Sequence, residues 1–317
     1  MKEIRRDSIT GDSVIYSSFR NKRPLDKVNS TNDFDGKDNE YSSSCPFCRG
    51  NEKETDVLKE ELLEGDDWVA KCVANKFPIL DTSTKEIFGD HEVIIETNRH
   101  NGSYYDMSIE EYKNTFRLFS SRYRELSKRK GIKYVSIFKN SMRNAGASLM
   151  HPHSQIISFN MIPPEIEKEL EVAKRHIAST NRNLYDDIIA SEISYGKRVI
   201  YNGKYLLAFV PYATRYNGEV RIISKTSDDI SDWNEDYIEE LSYIFKNLFS
   251  KLYIYQGEIP FNLLLHTYPL ECEGRNIFRT HIHIVPRKYN FGGFELSTNF
   301  FVCGTNPDEL ASELKFK

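Results

Sequence analysis

The sequence predicts an α+β fold made of two similar halves, each a mainly antiparallel sheet with packed helices. Three observations carry that expectation. First, one order of elements occurs twice: "HEVIIET", a helix, "YVSIFKN" and "HPHSQIIS" are answered later by "GEVRIIS", a helix, "FNLLLHT" and "HIHIVPR". Glu92 precedes His151 by 59 residues and Glu219 precedes His281 by 62, as a duplicated strand–helix–strand–strand unit would give. Two unrelated α+β halves are the competing reading, because identity between the units is low. Second, 19 Tyr and 19 Phe suit sheet-rich cores with aromatic faces better than a helical bundle. Third, 317 residues suffice for one large domain or two smaller ones with real cores, and we divide the chain into residues 1–180 and 181–317.

Each element follows from local pattern. "DSVIYSSFRNKRP" opens strand-like and ends in Arg20, Lys22 and Arg23, and the polar, turn-rich "KVNSTNDFDGKDNEYSSS" after it reads as a loop. "EKETDVLKEELLEG" is a short acidic segment, while "DWVAKCVANKFPIL" and "HEVIIET" have the β-branched, alternating content of strands. "MSIEEYKNTFRLFSSRYRELSKRKG" is the clearest helix: Ser108 and Glu111 form a capping box and Gly131 stops it. "YVSIFKN" and "SQIISFN" are strands, and Pro163 and Pro164 open the helix "EIEKELEVAKRHI". In the second half "GKYLLAFVPY" and "GEVRIISK" are strands, then comes the long helix "DDISDWNEDYIEELSYIFKNLFSKLYIYQ" with its acidic start. "FNLLLHTYP" and "RTHIHIVPRK" complete the set.

Bulk properties exclude several classes. A net charge of −4 gives no electrostatic reason to expect nucleic acid or an anionic membrane as partner. No apolar run reaches transmembrane length, and "MKEIRRDSITGD" has no apolar core of a signal peptide. Five cysteines, of which only Cys45 and Cys48 are neighbours, argue against a disulfide scaffold and for a reducing compartment, by default the cytoplasm.

The chemistry concentrates in "GASLMHPHSQIIS", residues 146–158. Residues two apart in a strand share a face, so His151 and His153 project together, as a metal pair or as one ligand beside one reactive base. Two polar residues on a solvated strand is the plain alternative. Pro152 lacks an amide proton and suits an edge or a rim. Upstream, Asn144, Ala145, Gly146, Ala147 and Ser148 are small residues of the kind that leave backbone amides exposed in a phosphate cradle. "CPFC" is half of a zinc site, which His100 and His151 would complete as Cys2His2; a redox use of the pair is the rival. Cys72, Cys272 and Cys303 stand alone and read as core or incidental thiols, and His176 as solvated.

"CPFC", "NKFP", "HEVIIETNRH", "FKNSMRNAGASLMHPHSQ" and the opening "ITGDSVIYSSFRNKRP" resemble the galactose-1-phosphate uridylyltransferases and their relatives in the histidine-triad superfamily, in the same order from about residue 5 to residue 315. The resemblance implies two histidine-triad-like half-domains, zinc on Cys45, Cys48, His100 and His151, and His153 as nucleophile. It also implies nucleotide or phosphate contacts from Arg20, Arg23, Asn75, Phe77, Asn140, Gly146, Ala147, Ser148 and Gln155. A second metal, Fe or Zn, would fall on Glu169, His266, His281 and His283. The second CxxC of some relatives is replaced here by Asn183 and Asp186. The tail "FGGFELSTNFFVCGTNPDEL" resembles nucleotide-sugar phosphorylase-like members more than the main uridylyltransferases, with Phe301 near the place of their hexose-directed glutamine and Phe294 and Glu295 as candidates to border a sugar.

The expected chemistry follows. A neutral His153 imidazole, its other nitrogen held by the carbonyl of His151, attacks the α-phosphorus of a nucleoside diphosphate sugar. Gln155 donates an amide hydrogen bond but no proton, which suits a leaving group and a second nucleophile that are both phosphates. The leading expectation is a hexose-1-phosphate nucleotidyltransferase moving UMP by a ping-pong scheme, with a homodimer implied by the resemblance. A phosphorylase splitting an ADP-sugar or a dinucleoside polyphosphate with inorganic phosphate is the second expectation, and a non-catalytic nucleotide-binding relative the third.

Overall fold

A computed structural model describes residues 2–18, 39–227, 229–272, 274–288 and 290–316. Its centre is a ten-stranded sheet, and the predicted repeat is visible in the strand order. In the first half β3 (Leu58–Glu64), β4 (Asp67–Ala74), β5 (Gly89–Ile95), β6 (Tyr134–Ser141) and β7 (His153–Phe159) lie in the order β3-β4-β5-β7-β6. In the second, β8 (Val199–Asn202), β9 (Leu206–Phe209), β10 (Val220–Ser224), β11 (Phe261–His266) and β12 (His281–Pro286) lie as β8-β9-β10-β12-β11. The halves meet edge to edge, antiparallel, where β6 pairs β11 with Asn140 opposite Asn262. A separate three-stranded sheet joins β1 (Lys2–Arg6) and β2 (Ser13–Ser17) to β13 (Phe301–Cys303), which runs parallel to β2.

One helix follows the third strand of each unit: α1 (Ile109–Ser127) and α4 (Glu235–Gln256). Both cover the same face of the sheet and bury Ile94, Ile137, Ile156, Ile222, Leu263 and Ile282 beneath them. The aromatic residues behave differently from the expectation of aromatic sheet faces. Tyr112, Phe116, Phe119 and Tyr123 of α1 and Phe245 and Phe249 of α4 carry much of the core, with Phe116 and Phe245 rings 4.9 Å apart. Helical spacing lets the two helices interlock through large rings while β-branched residues line the sheet. The Ser108–Glu111 capping box of α1 is formed as predicted.

The opposite face is covered unequally. Over the second half lie α2 (Pro164–Thr180) and α3 (Leu184–Tyr195), which pack Ile166, Leu170, Ala173, Tyr185 and Ile188 against Leu207, Phe209 and Ile223. Over the first half no helix of the described residues intervenes, and the turn carrying "CPFC" lies above β4, β5 and β7 instead. Two short C-terminal helices, α5 (Gly293–Thr298) and α6 (Pro307–Leu314), complete the described elements. Among the described residues no helix is long and apolar enough to cross a membrane.

Three local expectations are corrected or narrowed. The strand expected through "NKFPIL" ends at Ala74. Asn75 turns the chain by accepting from the Phe77 amide through its side chain (2.8 Å). Of the two places expected for Pro152, a sheet edge and a rim, it takes the rim: it lines the cleft beside His153 and directly precedes the first residue of β7, a central strand, where a missing amide proton interrupts no ladder. The two His-x-His motifs are not equivalent either. Ile95 lies opposite His153 and Ile223 opposite His281, so register superposes His153 on His281 and Gln155 on His283.

Candidate active site

The "CPFC" turn and the loop ends of β5 and β7 bring four ligands together. Cys45 Sγ, Cys48 Sγ and one nitrogen each of His100 and His151 all lie within 4.8 Å of one another, and all four residues are buried. His100 Nδ1 is 3.3 Å from Cys48 Sγ, and His151 Nδ1 is 3.7 Å from Cys48 Sγ and 3.8 Å from Cys45 Sγ. These are edge lengths of a tetrahedron whose centre is about 2.0–2.3 Å from nitrogen and sulfur, the zinc geometry. His151 donates through Nε2 to the Thr97 carbonyl (2.8 Å), which turns the Nδ1 lone pair toward the thiols. Burial pushes the Cys45 thiol up to about 11 and the His151 imidazole down to about 3, so a neutral nitrogen is ready and the Cys45 thiolate needs a cation beside it. The Ser42 amide is 3.4 Å from Cys48 Sγ and Asn51 Nδ2 donates to the Cys45 carbonyl (2.7 Å), fixing the turn. Both cysteines are free thiols. The donor set fits zinc.

His153 begins β7, two residues beyond His151 of that cluster. Its Nδ1 lies 2.8 Å from the His151 carbonyl, an acceptor, so Nδ1 carries the proton and Nε2 the lone pair. Burial, and then the positive charge of Lys139, hold this imidazole below its ordinary value. Phe47 of the "CPFC" turn packs edge-on against it with ring centres 5.4 Å apart. Behind the strand, Lys139 Nζ reaches Glu96 Oε2 (2.5 Å) and the His153 carbonyl (3.1 Å). Glu96 also accepts from Tyr104 (2.8 Å) and from Ser154.

In front of His153 opens a cavity of about 300 Å³, lined among others by Phe47, Val73, Asn75, Phe77, Val93, Ser148, Leu149 and Gln155. The predicted Asn75, Phe77, Ser148 and Gln155 thus share one wall system with His153. Asn140 is reached from the other side of His153, in a smaller cleft with Ser141, Met142 and Lys139, and its side-chain oxygen accepts from Asn262 (2.8 Å). Gly146 and Ala147 are not free amide donors: their N–H groups close the turn on the Arg143 and Met142 carbonyls. Gly146 takes φ +96°, which favours glycine, so its part in the site is the shape of that turn. Arg20 and Arg23 lie outside the described residues.

The second predicted cluster is also assembled. Glu169 of α2 and His266, His281 and His283 offer ligand atoms within 4.8 Å of one another. Glu169 Oε1 is 2.8 Å from His266 Nδ1 and Glu169 Oε2 is 3.5 Å from His281 Nε2. Glu169 Oε2, His281 Nε2 and His283 Nε2 are buried without a hydrogen-bond partner, as atoms awaiting a cation would be. The far nitrogens are committed: His281 Nδ1 to the Arg279 carbonyl (2.8 Å) and His283 Nδ1 to Glu219 Oε1 (2.7 Å). These residues fit a metal. Asn183, in place of a thiolate, caps α3 by accepting from the Tyr185 and Asp186 amides, and Asp186 pairs with Arg279. Phe294, Glu295 and Phe301 line neither cavity beside His153: Glu295 caps α5 through the Gly292 amide (2.9 Å) and Phe301 is buried in β13. Of the single cysteines, Cys72 and Cys303 are buried and Cys272 is exposed, while His176 meets Asp187 (2.7 Å) instead of standing free.

Sequence reasoning missed His91, Glu96 and Lys139. His91 Nε2 is 2.7 Å from Gln155 Oε1, and its backbone carbonyl accepts from the Asn75 amide (2.8 Å). Alternation in "HEVIIET" does place His91 on one face with Val93 and Ile95, but only the β5–β7 pairing shows that Gln155 shares that face.

The sheet is duplicated, as the resemblance to the histidine-triad superfamily implied, and it carries a cysteine–histidine cluster beside a buried imidazole whose proton is on Nδ1. Residues 80–316 match the family described as "Domain of unknown function (DUF4921)". ADP-glucose phosphorylase of Arabidopsis thaliana is 27% identical over 332 residues, spanning 99% of this chain and 92% of that protein. A galactose-1-phosphate uridylyltransferase of Thermotoga maritima is 25% identical over 337 residues, spanning 99% and 98%. The crystal structure of an Arabidopsis thaliana ADP-glucose phosphorylase with bound ADP-glucose superposes with a TM-score of 0.86 at 25% identity, covering 100% of this chain and 99% of that one. The chain belongs to the DUF4921 family, and over nearly its whole length it is similar to galactose-1-phosphate uridylyltransferases and to ADP-glucose phosphorylase.

Proposed function

We propose that this protein transfers a nucleoside monophosphate, AMP in the first instance, from a nucleoside diphosphate sugar to inorganic phosphate through a covalent adduct on His153. The observation that carries the reading is the 2.8 Å contact from His153 Nδ1 to the His151 carbonyl, which leaves Nε2 proton-free at the cavity. Nε2 attacks the α-phosphorus, the bond to the sugar-phosphate oxygen breaks, and sugar 1-phosphate leaves as an anion that needs no proton. Phosphate then attacks the same phosphorus, the N–P bond breaks, and a nucleoside diphosphate departs. Gln155, on the cavity wall, donates its amide hydrogens to the non-bridging oxygens on which charge builds. Asn75, Phe77 and Ser148 border the nucleotide, and Asn140 faces the cleft on the leaving-group side. Arg20 and Arg23 belong to the same proposal.

Adenylyl transfer to phosphate is favoured over uridylyl exchange by the whole-length likeness to ADP-glucose phosphorylase. Transfer of UMP to a hexose 1-phosphate is the second reading, favoured by the full-length match to the Thermotoga maritima enzyme. We place zinc on Cys45, Cys48, His100 and His151, and a second metal on Glu169, His266, His281 and His283. Bound zinc would supply no chemistry to the phosphate; it would pin the "CPFC" turn and the His151 carbonyl that sets the His153 tautomer. A homodimer is part of the same reading, and light scattering checks it.

The deciding experiment is intact-mass analysis after brief incubation with ADP-, UDP- and GDP-glucose. An adenylyl increment on the wild type, absent from His153→Ala and discharged by inorganic phosphate, is the expected result. A uridylyl increment discharged only by hexose 1-phosphate selects the second reading, and no increment with any substrate overturns both.

A further inference from the structure

Strand register superposes His91 on Glu219 as it superposes Gln155 on His283. In each half that pair is in contact: His91 Nε2 with Gln155 Oε1, and His283 Nδ1 with Glu219 Oε1, both at 2.7 Å. The chemistry is exchanged across the duplication. One half sets a carboxylate acceptor against a histidine, the other a histidine donor against an amide carbonyl. We propose that His91 is a positioning residue of the transfer reaction, holding the Gln155 carbonyl so that the Gln155 NH2 faces the phosphoryl group at His153. The inference rests on His153 being the nucleophile.

The tautomer of His91 decides the geometry. The Ile79 backbone N–H points at His91 Nδ1 (3.1 Å), so Nδ1 must accept and Nε2 must carry the proton. Asn75 Nδ2 also lies 3.0 Å from Nε2, but it is itself a donor, since Asn75 Oδ1 is committed to the Phe77 amide. Gln155 Oε1 is therefore the acceptor for that proton. Burial holds the His91 imidazole below its ordinary value, so the ring stays neutral and Nδ1 remains an acceptor. With its carbonyl held, the Gln155 amide has one orientation, NH2 toward the cavity. In the flipped orientation a carbonyl dipole would oppose the phosphoryl oxygens, and the preorganised donor would be lost. The loop 75–79, which carries Asn75 and Phe77 at the cavity wall, fixes the ring from its other end. Nucleotide contacts and phosphoryl contacts thus share one linchpin.

The test has two arms. In ¹⁵N-histidine-labelled wild-type protein, His91, assigned by the resonance lost in His91→Gln, is expected to show its proton on Nε2; a proton on Nδ1 overturns the inference whatever the reaction proves to be. In the second arm single-turnover adduct formation is followed for His91→Leu, Gln155→Ala and the double variant. His91→Leu is expected to slow adduct formation on the order of 10- to 100-fold at saturating substrate, with KM changed far less, since one lost donor of this kind slows a reaction by about that much or more. His91→Gln, which can present an amide donor, is expected to recover most of the rate. The double variant should be no slower than Gln155→Ala alone, because His91 acts only through Gln155. Effects that multiply, a His91→Leu rate within twofold of wild type, or no rescue by His91→Gln would each overturn it. A wild type that takes no nucleotide would sink the transfer reading itself, whereas a labelled wild type with an unaffected His91→Leu would sink this inference alone.

Discussion

Lys139 and Glu96 show what a residue can do from behind a strand. Their charged atoms are 2.5 Å apart, with 4% and 0% of their side chains exposed, directly beneath the histidine that faces the cavity. A buried pair of this kind is weak evidence for net stability, but removing one partner strands the other charge. Lys139→Met is expected to lower unfolding stability by about 3–5 kcal/mol. Lys139→Met combined with Glu96→Gln should recover a large part of it, as urea denaturation would show. A double variant as unstable as the single would mean that Lys139 acts mainly through its bond to the His153 carbonyl. Neither residue advertised itself in the sequence, because a lysine in "YVSIFKN" and a glutamate in "HEVIIET" read as strand-end charges until pairing turns both inward. His151 and His153, by contrast, were legible: strand periodicity alone gives them a common side, and the cysteine pair upstream supplies a reason.

The helices and loops were legible where chemistry is local. The capping box of α1 was predicted from spacing, yet its glutamate does more than cap. Glu111 also accepts from Thr97 Oγ1 (2.8 Å) and Arg99 Nε (3.0 Å), clamping the loop that ends in His100. Ser108→Ala is expected to cost about 1 kcal/mol, read as a lowered midpoint in denaturant. Burial raises the Glu111 carboxyl, but the Ser108 amide, Thr97 and Arg99 outweigh it and hold the group below its ordinary 4.5. Its contribution to stability is therefore complete above that value and lost as pH falls through the lower, folded value. Melting curves of wild type and Glu111→Gln should differ at pH 7 and converge as the pH falls through the lowered, folded value; a constant difference would show that the carboxylate charge is not what matters. What the sequence could not show is which way β7 and β12 slide against their neighbours. Two His-x-His motifs invite superposition, and only hydrogen-bonded register reveals the offset of two residues. The strands β1 and β13 were hidden for other reasons: KEIRR carries a single apolar residue among charges, and β13 has only three residues.

For the molecule as a whole, the contrast between the halves lies in what covers the histidine-bearing face. Over the first it is open to a cavity; over the second α2 brings Glu169 down onto three histidines. Two metal equivalents per chain are expected by elemental analysis. Cys48→Ser should remove one together with adduct formation, and Glu169→Ala the other together with several degrees of melting temperature; a chain that keeps both metals in either variant would contradict the assignment. The duplication was readable from the order of elements, and the odd occupant of each site was not, because α2 belongs by sequence to the first unit and by packing to the second.

The seam between β6 and β11 has one more consequence. Five residue pairs zip it, from Phe261 opposite Ser141 to Leu265 opposite Ile137, and neither strand has another partner on that side. Either unit expressed by itself would bare an inner strand rich in unanswered amides and carbonyls, a sticky margin prone to clumping. Severed pieces made together would instead find each other along that margin, so a split version of this polypeptide ought to reassemble without any tether.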